Sequence, residues 1–301
     1  MDFKTLTYHE IQEAYQQVGY HCSEEVAIAI KNAAILNKPI ILEGPPGVGK
    51  TELAKATAAL TGQEFIRLQC SPEMNEKKAL YDFNYSKQMM FIQLLKEQLV
   101  SNDVQSDLVK WIETFDEKNP FYSKSFLVKR PIMEAFCPTN GKPKVLLIDE
   151  LDKADAEFEF SLLEAFSDYT ISIPEIGTIE AEMKPLTIIT SNRERKLTDT
   201  MLRRCIYVYL EYPSVAEEEQ ILVSKTKANK NLAKQIATLV ASFREMDLVQ
   251  KPSIAESMEW AEVLSLHCPR RAAKDDELIQ TVSVIAKTPS DQRKIKEKIA
   301  G

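Results

Sequence analysis

A glycine-rich loop between an apolar run and a helix-forming run limits this chain to a small set of α/β folds. The loop, Gly44–Thr51, fits the spacing G-x-x-x-x-G-K-[ST]. The run before it, Ile40–Leu42, predicts a buried strand, and Glu52–Leu60 predicts a helix. Such a loop turns backbone N–H groups toward a phosphate chain, while its lysine binds the β- and γ-phosphates and its threonine hydroxyl binds magnesium. The predicted site for a nucleoside triphosphate and magnesium consists of Gly44, Pro45, Pro46, Gly47, Val48, Gly49, Lys50 and Thr51.

A second apolar run, Val145–Ile148, ends in the two acids Asp149 and Glu150. At the C-terminal end of a strand, Asp149 can hold magnesium through water, so it joins Thr51 as a candidate metal ligand. Glu150 can polarise the water that attacks the γ-phosphate. A strand that ends in solvated acids is common by itself. Downstream of a triphosphate loop, the same pattern predicts a hydrolytic site.

Further apolar runs and turn residues predict the rest of an α/β sheet. Glu64–Gln69, Leu186–Thr190 and Tyr207–Leu210 have the composition of strands. Thr170–Ile173 and Thr178–Ala181 predict a β-hairpin around a Pro-Glu-Ile-Gly turn. The predicted helices cover residues 5–18, 24–36, 52–60, 87–99, 107–115, 127–136, 156–166, 216–227, 233–245, 253–266 and 274–285.

Charge and cysteine usage exclude several classes of protein. The net charge is 38 − 45 = −7, which disfavours general nucleic-acid binding. Five scattered cysteines form no C-x-x-C pair, so they signal neither a zinc site nor a disulfide framework. The first residues lack the pattern of a signal peptide, and no run is apolar enough for a membrane span. We expect a cytoplasmic protein with reduced thiols.

Six motifs in this order resemble the AAA+ ATPases and, within them, the MoxR group. They are LEGPPGVGKTELAKA at 42–56, LLIDELDKAD at 146–155, LLEAFSD at 162–168, ISIPEIG at 171–177, TSN at 190–192 and MLRRC at 201–205. The resemblance covers nearly the whole chain. It implies an α/β fold, an αβα sandwich with a parallel sheet over residues 1–212, followed by a small all-helical lid over residues 213–301. It also implies an insertion somewhere within residues 73–130 and a hairpin at 170–181, elements that commonly face the pore of a ring.

The same resemblance assigns catalytic roles beyond Glu150. Asn192 takes the position of the sensor 1 residue, which helps to orient the attacking water. Arg203 and Arg204 take the position of the arginine finger, which reaches the γ-phosphate bound in the neighbouring subunit. The sequence does not separate the two arginines.

The sequence departs from the family at sensor 2. Related proteins carry an arginine at the start of the third lid helix, but the aligned text here is Lys-Pro-Ser-Ile-Ala-Glu at 251–256. Lys251 and the pair Arg270-Arg271 are the remaining candidates, so no sensor 2 residue is assigned. For the base, Gly19-Tyr20 is the candidate contact, and the sequence does not separate ATP from GTP.

The resemblance implies an ATPase that uses ATP and Mg²⁺ and forms a homo-oligomeric ring, most often a hexamer. It further implies a chaperone-like role, in which hydrolysis remodels a protein client together with a partner that carries a von Willebrand factor A domain. One alternative is a nucleic-acid-translocating motor subunit of the restriction type, which the acidic charge disfavours. The other is a nucleotide-gated scaffold with little turnover, which the missing sensor 2 arginine favours and Glu150 disfavours.

Overall fold

The computed structural model of the protein describes residues 1–101, 123–174 and 176–301. The predicted helix over 107–115, the middle of the predicted insertion and Glu175 of the predicted hairpin turn lie outside them. The strands are β1 (Ile40–Glu43), β2 (Glu64–Gln69), β3 (Tyr81–Phe83), β4 (Leu127–Lys129), β5 (Lys144–Asp149), β6 (Thr170–Ile173), β7 (Gly177–Glu180), β8 (Leu186–Ser191) and β9 (Ile206–Tyr209).

The helices are α1 (Tyr8–Gln17), α2 (Glu24–Leu36), α3 (Lys50–Thr61), α4 (Glu76–Ala79), α5 (Tyr85–Ser101), α6 (Pro131–Phe136), α7 (Ala156–Ser167), α8 (Asp199–Arg204), α9 (Val215–Lys225), α10 (Lys230–Arg244), α11 (Ile254–His267), α12 (Asp275–Gln280), α13 (Val282–Ile285) and α14 (Pro289–Ala300). Short 3-10 helices cover Lys124–Phe126 and Leu151–Lys153. Within the described ranges, no helix is long and apolar enough to cross a membrane.

Five strands form the central sheet in the order β2-β5-β8-β1-β9, and every neighbouring pair is parallel. β1 and β5 are buried along their whole length, as expected of short apolar runs covered by helices on both faces of a sheet. Neighbouring residues of β1 point to opposite faces, so Ile41 packs in one core and Leu42 in the other. The predicted α/β class with a parallel sheet is therefore confirmed.

The C-terminal ends of the strands meet at one edge of this sheet. Gln69 of β2 lies beside Asp149 of β5, and Glu43 of β1 lies beside Ser191 of β8. Because each strand is held by the two cores, the side chains that follow these ends are fixed in relation to one another. This edge carries the candidate site.

The region between β2 and β5 differs from the prediction. One helix was predicted over Leu127–Phe136, and this prediction is wrong. The chain instead forms β4, which pairs with β3, and then the short helix α6. Arg130 is extended because Pro131 follows it, and the proline supplies the first residue of α6. The predicted hairpin is confirmed, since β6 and β7 pair in antiparallel fashion.

Helices α9 to α14 form the C-terminal helical region, residues 215–300, around a hydrophobic core of their own. Trp260 of α11 and Phe243 of α10 lie at its centre, and both are fully buried. The prediction of a single helix over 274–285 is wrong. The backbone leaves helical geometry at Thr281, so this segment forms two helices, α12 and α13. The sequence prediction ended at residue 285 and missed α14, which begins with the capping hydroxyl of Thr288 and Pro289.

Candidate nucleotide-binding and hydrolytic site

Two glycines of the loop between β1 and α3 have a left-handed backbone. Gly47 and Gly49 have φ angles of 73° and 97°, in the left-handed region that other residues adopt only at a cost. A Cβ atom at Gly47 would also lie 2.3 Å from Cβ of Ser253, the capping residue of α11. The loop therefore turns tightly enough for its backbone to face a ligand, and the C-terminal helical region begins α11 directly against it.

Lys50, the first residue of α3, is 6% exposed. Its ammonium donates to the carbonyl oxygens of Gly44 at 2.6 Å and Pro45 at 2.9 Å, and to Oδ1 of Asn192 at 2.7 Å. Burial, which disfavours the charged form, lowers the pKa of Lys50 to about 8, and nearby carboxylates led by Asp152 oppose this shift only in part. Three donors directed at oxygen acceptors are also what the oxygens of a phosphate chain require.

Asp149 ends β5 and is 3% exposed. Its Oδ1 accepts hydrogen bonds from the hydroxyls of Thr51 at 3.1 Å and Thr190 at 2.6 Å. Its Oδ2 accepts from Nε and Nη2 of Arg67 on β2, at 2.9 Å and 2.6 Å. The sequence predicts Thr51 and Asp149 as neighbours. It does not predict Thr190 and Arg67, which the neighbouring strands β8 and β2 supply.

Glu150 follows β5 in a left-handed conformation, with φ of 57°, and its N–H donates to Oγ1 of Thr190 at 2.8 Å. A non-glycine residue in this region is uncommon and marks a locally fixed backbone. Oε1 of Glu150 accepts from Nδ2 of Asn192 at 3.3 Å. Oε2 accepts from Nε2 of Gln69 at 2.7 Å and lies 2.8 Å from Nζ of Lys153. The carboxylate is thus held from both sides.

Asp152, which was not predicted from the sequence, fixes the segment after β8. This buried residue accepts the N–H groups of Asn192 and Glu194 on Oδ2, at 3.0 Å and 2.9 Å. It lies in the 3-10 helix that follows Glu150. The backbones that carry Glu150 and Asn192 are therefore bound to each other. The nearest sequence signal is the acid-rich run Asp-Glu-Leu-Asp at 149–152.

A cavity of about 580 Å³ opens beside these residues, which is a usual size for a small-molecule site. One part of its wall is polar and contains Lys50, Thr51, Asp149, Glu150 and Asn192. Another part combines an N-terminal loop with helices of the C-terminal helical region. The residues of that part are Val18, Gly19, Tyr20, His21, Ile221, Lys225, Ile254, Ala255 and Met258.

The residues of this cavity fit a nucleoside triphosphate with magnesium. Lys50 and the loop suit phosphates, and the hydroxyl of Thr51 and the carboxylate of Asp149 are oxygen donors of the kind magnesium prefers. The apolar side chains of the wall, such as Val18, Ile221 and Met258, suit a base. Among the residues that the structure describes, no group of three or more His, Cys, Asp or Glu could hold a metal alone. A single carboxylate agrees with a metal that takes most of its ligands from phosphate and water.

The structure does not bring Arg203 and Arg204 to this cavity. Arg204 donates from Nε to Oγ of Ser167 and from Nη1 to the carbonyl oxygen of Thr200 at 3.2 Å. Arg203 is exposed. Neither arginine can therefore serve the site of its own chain without a rearrangement.

The sensor 2 candidates also lie elsewhere. Arg271 pairs with Glu277, with an Nη1–Oε2 distance of 2.8 Å, and neither Lys251 nor Arg270 is among the cavity residues. At the start of α11, Ile254 and Ala255 line the wall instead. The cation that the C-terminal helical region contributes to the described wall is Lys225.

Comparisons with known proteins match more than half of the chain to a family of AAA domains. The family model of the AAA domain, dynein-related subfamily, matches residues 39–217, which is more than half of the chain. A 45-residue segment is 47% identical to the Lon protease of Rhizobium meliloti (strain 1021), and it covers 15% of this chain and 6% of that protein. An 86-residue segment is 35% identical to the ATP-dependent protease ATPase subunit ClpY of Bacillus velezensis, and it covers 24% of this chain and 18% of that protein.

The chain thus spans only 6% to 18% of the lengths of these two relatives. Among solved structures, the RuvB Holliday junction branch migration motor of Thermotoga maritima is similar, with a TM-score of 0.43 and 15% sequence identity. That alignment covers 99% of this chain and 73% of the other.

Proposed function

Because the chain belongs to the dynein-related subfamily of AAA domains, we propose that it is a MoxR-like ATPase that hydrolyses ATP with Mg²⁺ in a ring of subunits. The observation that carries this proposal is the hydrogen-bonded chain from Lys50 through Asn192 to Glu150. Next to these three residues, the hydroxyl of Thr51 donates to Asp149. One cavity wall therefore offers a cation for phosphates, oxygen donors for a metal and a carboxylate for water.

Each side chain has a distinct task in this proposal. Magnesium, when bound by Thr51 and Asp149, would screen the charge of the phosphates. Lys50 would hold phosphate oxygens with its ammonium, in place of the loop carbonyls that it contacts here. Glu150 would accept the proton of the attacking water, and Asn192 would fix the position of that carboxylate through its Nδ2 donor.

In this proposal, an arginine of one subunit completes the site of the next, which requires a ring of subunits in contact. A guanidinium is permanently charged and can bind two phosphate oxygens at once, which suits the charge that develops during phosphoryl transfer. Arg203 is exposed, whereas Arg204 is engaged by Ser167 and Thr200 of its own chain. We therefore assign Arg203 as the finger that serves the neighbouring subunit.

The proposal also keeps the predicted division of the chain. Residues 1–212 would form the nucleotide-binding domain and residues 213–301 the lid. The contact of Ser253 with Gly47 supports a lid that responds to the nucleotide, although the sensor 2 arginine is replaced by apolar residues. The client protein and a partner with a von Willebrand factor A domain complete the proposal by analogy with the MoxR group.

Glu150→Gln tests the hydrolytic assignment. Removing the base should lower steady-state ATP hydrolysis by about a hundredfold or more, while the affinity for a fluorescent ATP analogue stays within about threefold. Glu157→Gln changes an exposed acid on α7 and is the matched control, with native hydrolysis expected. An unchanged hydrolysis rate in Glu150→Gln would refute the assignment.

The same preparation separates the alternatives. A native protein that binds the analogue but hydrolyses nothing at concentrations that permit oligomers would be a nucleotide-gated scaffold. Strong stimulation of hydrolysis by DNA would favour a nucleic-acid motor instead. Light scattering with and without a slowly hydrolysed analogue measures the oligomer, and capture of proteins by the Glu150→Gln form tests for the client and the partner.

A further inference from the structure

We propose that Arg67 is a counter-ion of Asp149 that keeps free divalent metal ions out of the site, so that the metal enters together with a triphosphate. The inference rests on the proposed function, because Asp149 is the carboxylate that would help to hold magnesium. It adds a residue from β2, which is not part of the glycine-rich loop, to the metal-binding machinery.

The carboxylate of Asp149 has no free acceptor position in this structure. A carboxylate offers about four lone-pair directions, and here four donors occupy them. Thr51 and Thr190 donate to Oδ1, at 3.1 Å and 2.6 Å, and Arg67 donates twice to Oδ2, at 2.9 Å and 2.6 Å. A metal ion or a water of its shell must displace one of these donors before it can contact Asp149.

Arg67 is the donor best placed to leave. Thr190 is 1% exposed and also accepts the N–H of Glu150, so it is fixed between two strands. Thr51 is held in the first turn of α3. The side chain of Arg67 is 48% exposed and reaches Asp149 from the outside of the sheet edge, where water can replace its contacts. The guanidinium can therefore move away without disturbing a core.

Asp149 lies among other carboxylates, and their negative charge explains why a positive counter-ion would affect metal binding. The carboxylates of Asp149, Glu150 and Asp152 lie close enough to Lys50 to influence its ammonium. This negative charge raises the local concentration of free divalent cations around Asp149. The positive charge of Arg67 repels a bare dication, whereas a magnesium triphosphate carries net negative charge and is attracted by the same guanidinium. Arg67 thus favours the complex over the free ion.

A purely structural salt bridge between β2 and β5 would also explain the contact. The two explanations differ in what they affect. A structural bridge sets the melting temperature and leaves the metal affinity of Asp149 unchanged. A counter-ion sets the metal affinity, and its effect vanishes when the carboxylate is removed.

Titration of the nucleotide-free protein with Mn²⁺, followed by electron paramagnetic resonance, measures this directly. Arg67→Gln should bind Mn²⁺ on the order of tenfold more tightly than the native protein, because an unopposed carboxylate and hydroxyl become available. Arg67→Lys retains the positive charge and should stay within about threefold of native. Arg293→Gln removes an exposed arginine of α14 and should leave the Mn²⁺ affinity unchanged.

The increase in Mn²⁺ affinity of Arg67→Gln should disappear in the double variant that also carries Asp149→Asn. That result would show that the added Mn²⁺ affinity depends on the carboxylate of Asp149. An unchanged Mn²⁺ affinity in Arg67→Gln, or an equal gain in Arg67→Lys, would overturn the proposal. Thermal melts show whether each variant is folded. Because the titration contains no nucleotide, its result is independent of hydrolysis. A separate titration with a fluorescent ATP analogue measures the nucleotide binding that the proposed function requires. The counter-ion role of Arg67 and the proposed function can therefore fail independently.

Discussion

The ammonium of Lys50 donates a hydrogen bond of 2.7 Å to Oδ1 of Asn192, which ties the glycine-rich loop to the end of β8. The same amide donates from Nδ2 to Oε1 of Glu150 at 3.3 Å. One side chain therefore connects the cation proposed for the phosphates with the carboxylate proposed for the water. An amide suits this place because it offers an acceptor and a donor together, whereas a carboxylate would offer Glu150 no donor.

Substitution of Asn192 should affect turnover more than binding. In Asn192→Ala, Glu150 loses a positioning donor, and we expect kcat to fall by about ten- to a hundredfold. The affinity for a fluorescent ATP analogue should change by less than about threefold, because Lys50 keeps its charge. Asn140→Ala, in an exposed loop before β5, is the control. A large loss of affinity with kcat intact would contradict the positioning role.

The lowered pKa of Lys50 predicts a pH dependence of nucleotide binding. The protonated ammonium is the form that attracts phosphates, and its pKa in the nucleotide-free protein is about 8. Affinity for a non-hydrolysable analogue should be flat below that value and should fall by up to about tenfold per pH unit above it. Equilibrium titrations from about pH 7 to about pH 9.5 measure this. In Lys50→Arg, whose guanidinium stays charged, the decline should be absent even if affinity is lower throughout.

This loss of binding is separable from unfolding. The folded pKa of Lys50 lies below the reference value of 10.5, so the unfolded chain binds more protons between these two values. The cost of burying the ammonium is present below pH 8 and is relieved as pH rises, which increases the contribution of this group to the free energy of unfolding. A decline in affinity that tracked loss of folded protein would argue against Lys50 as its origin.

The two adjacent arginines should give different results. Arg203→Ala should abolish most hydrolysis and leave nucleotide binding intact, because the guanidinium would act on the neighbouring site. Arg204→Ala should retain hydrolysis and lower the melting temperature, since it loses contacts with Ser167 and Thr200. Mixing Arg203→Ala with Lys50→Ala protein should restore part of the activity. No rescue in this mixture would exclude a finger that acts between subunits.

A buried ion pair stabilises the C-terminal helical region. Glu218 is fully buried and pairs with Arg244 at 2.6 Å and 2.9 Å, and Nε of Arg244 donates to the carbonyl oxygen of Pro252, just before α11. Arg244→Met leaves a buried carboxylate without a partner, so the free energy of unfolding should fall by about 3 to 5 kcal/mol. Urea unfolding followed by circular dichroism measures this.

Two further variants complete that experiment. The double variant Glu218→Leu with Arg244→Met should be more stable than Arg244→Met alone, because no charge stays buried. Lys55→Met breaks an exposed pair with Glu52 and should cost less than about 1 kcal/mol. Equal losses for the buried and the exposed pair would show that the Glu218–Arg244 contact is not desolvated in solution.

The parts of the fold and of the site that could be predicted are those set by residues close together in the sequence. The strands β1 and β5 are short buried runs that end at Glu43 before Gly44 and at Asp149, so each was found from its own residues. The predicted loop and Glu150, Asn192 and Asp149 meet because parallel strands end at one edge. Arg67 could not be predicted as a partner of Asp149, since their contact depends on β2 lying beside β5 in the sheet.

The incorrect helix predictions also have physical causes. Leu127–Phe136 has enough helix-forming residues to suggest one helix, but pairing with β3 favours an extended backbone over its first three residues. The division at Thr281 follows from tertiary packing, where its hydroxyl accepts from the indole N–H of Trp260 at 2.8 Å. That contact links residues twenty-one positions apart, so local periodicity does not contain it.

Because Ser253 lies against Gly47, the start of α11 contacts the glycine-rich loop, and a movement of the loop would tilt the helix. Its 14 residues span about 21 Å, so a tilt of about 3° at the loop moves the far end by about 1 Å. The far end carries Leu266, a residue that is 82% exposed. A displacement of the loop too small to disturb the sheet would therefore be amplified at a surface that other molecules can contact.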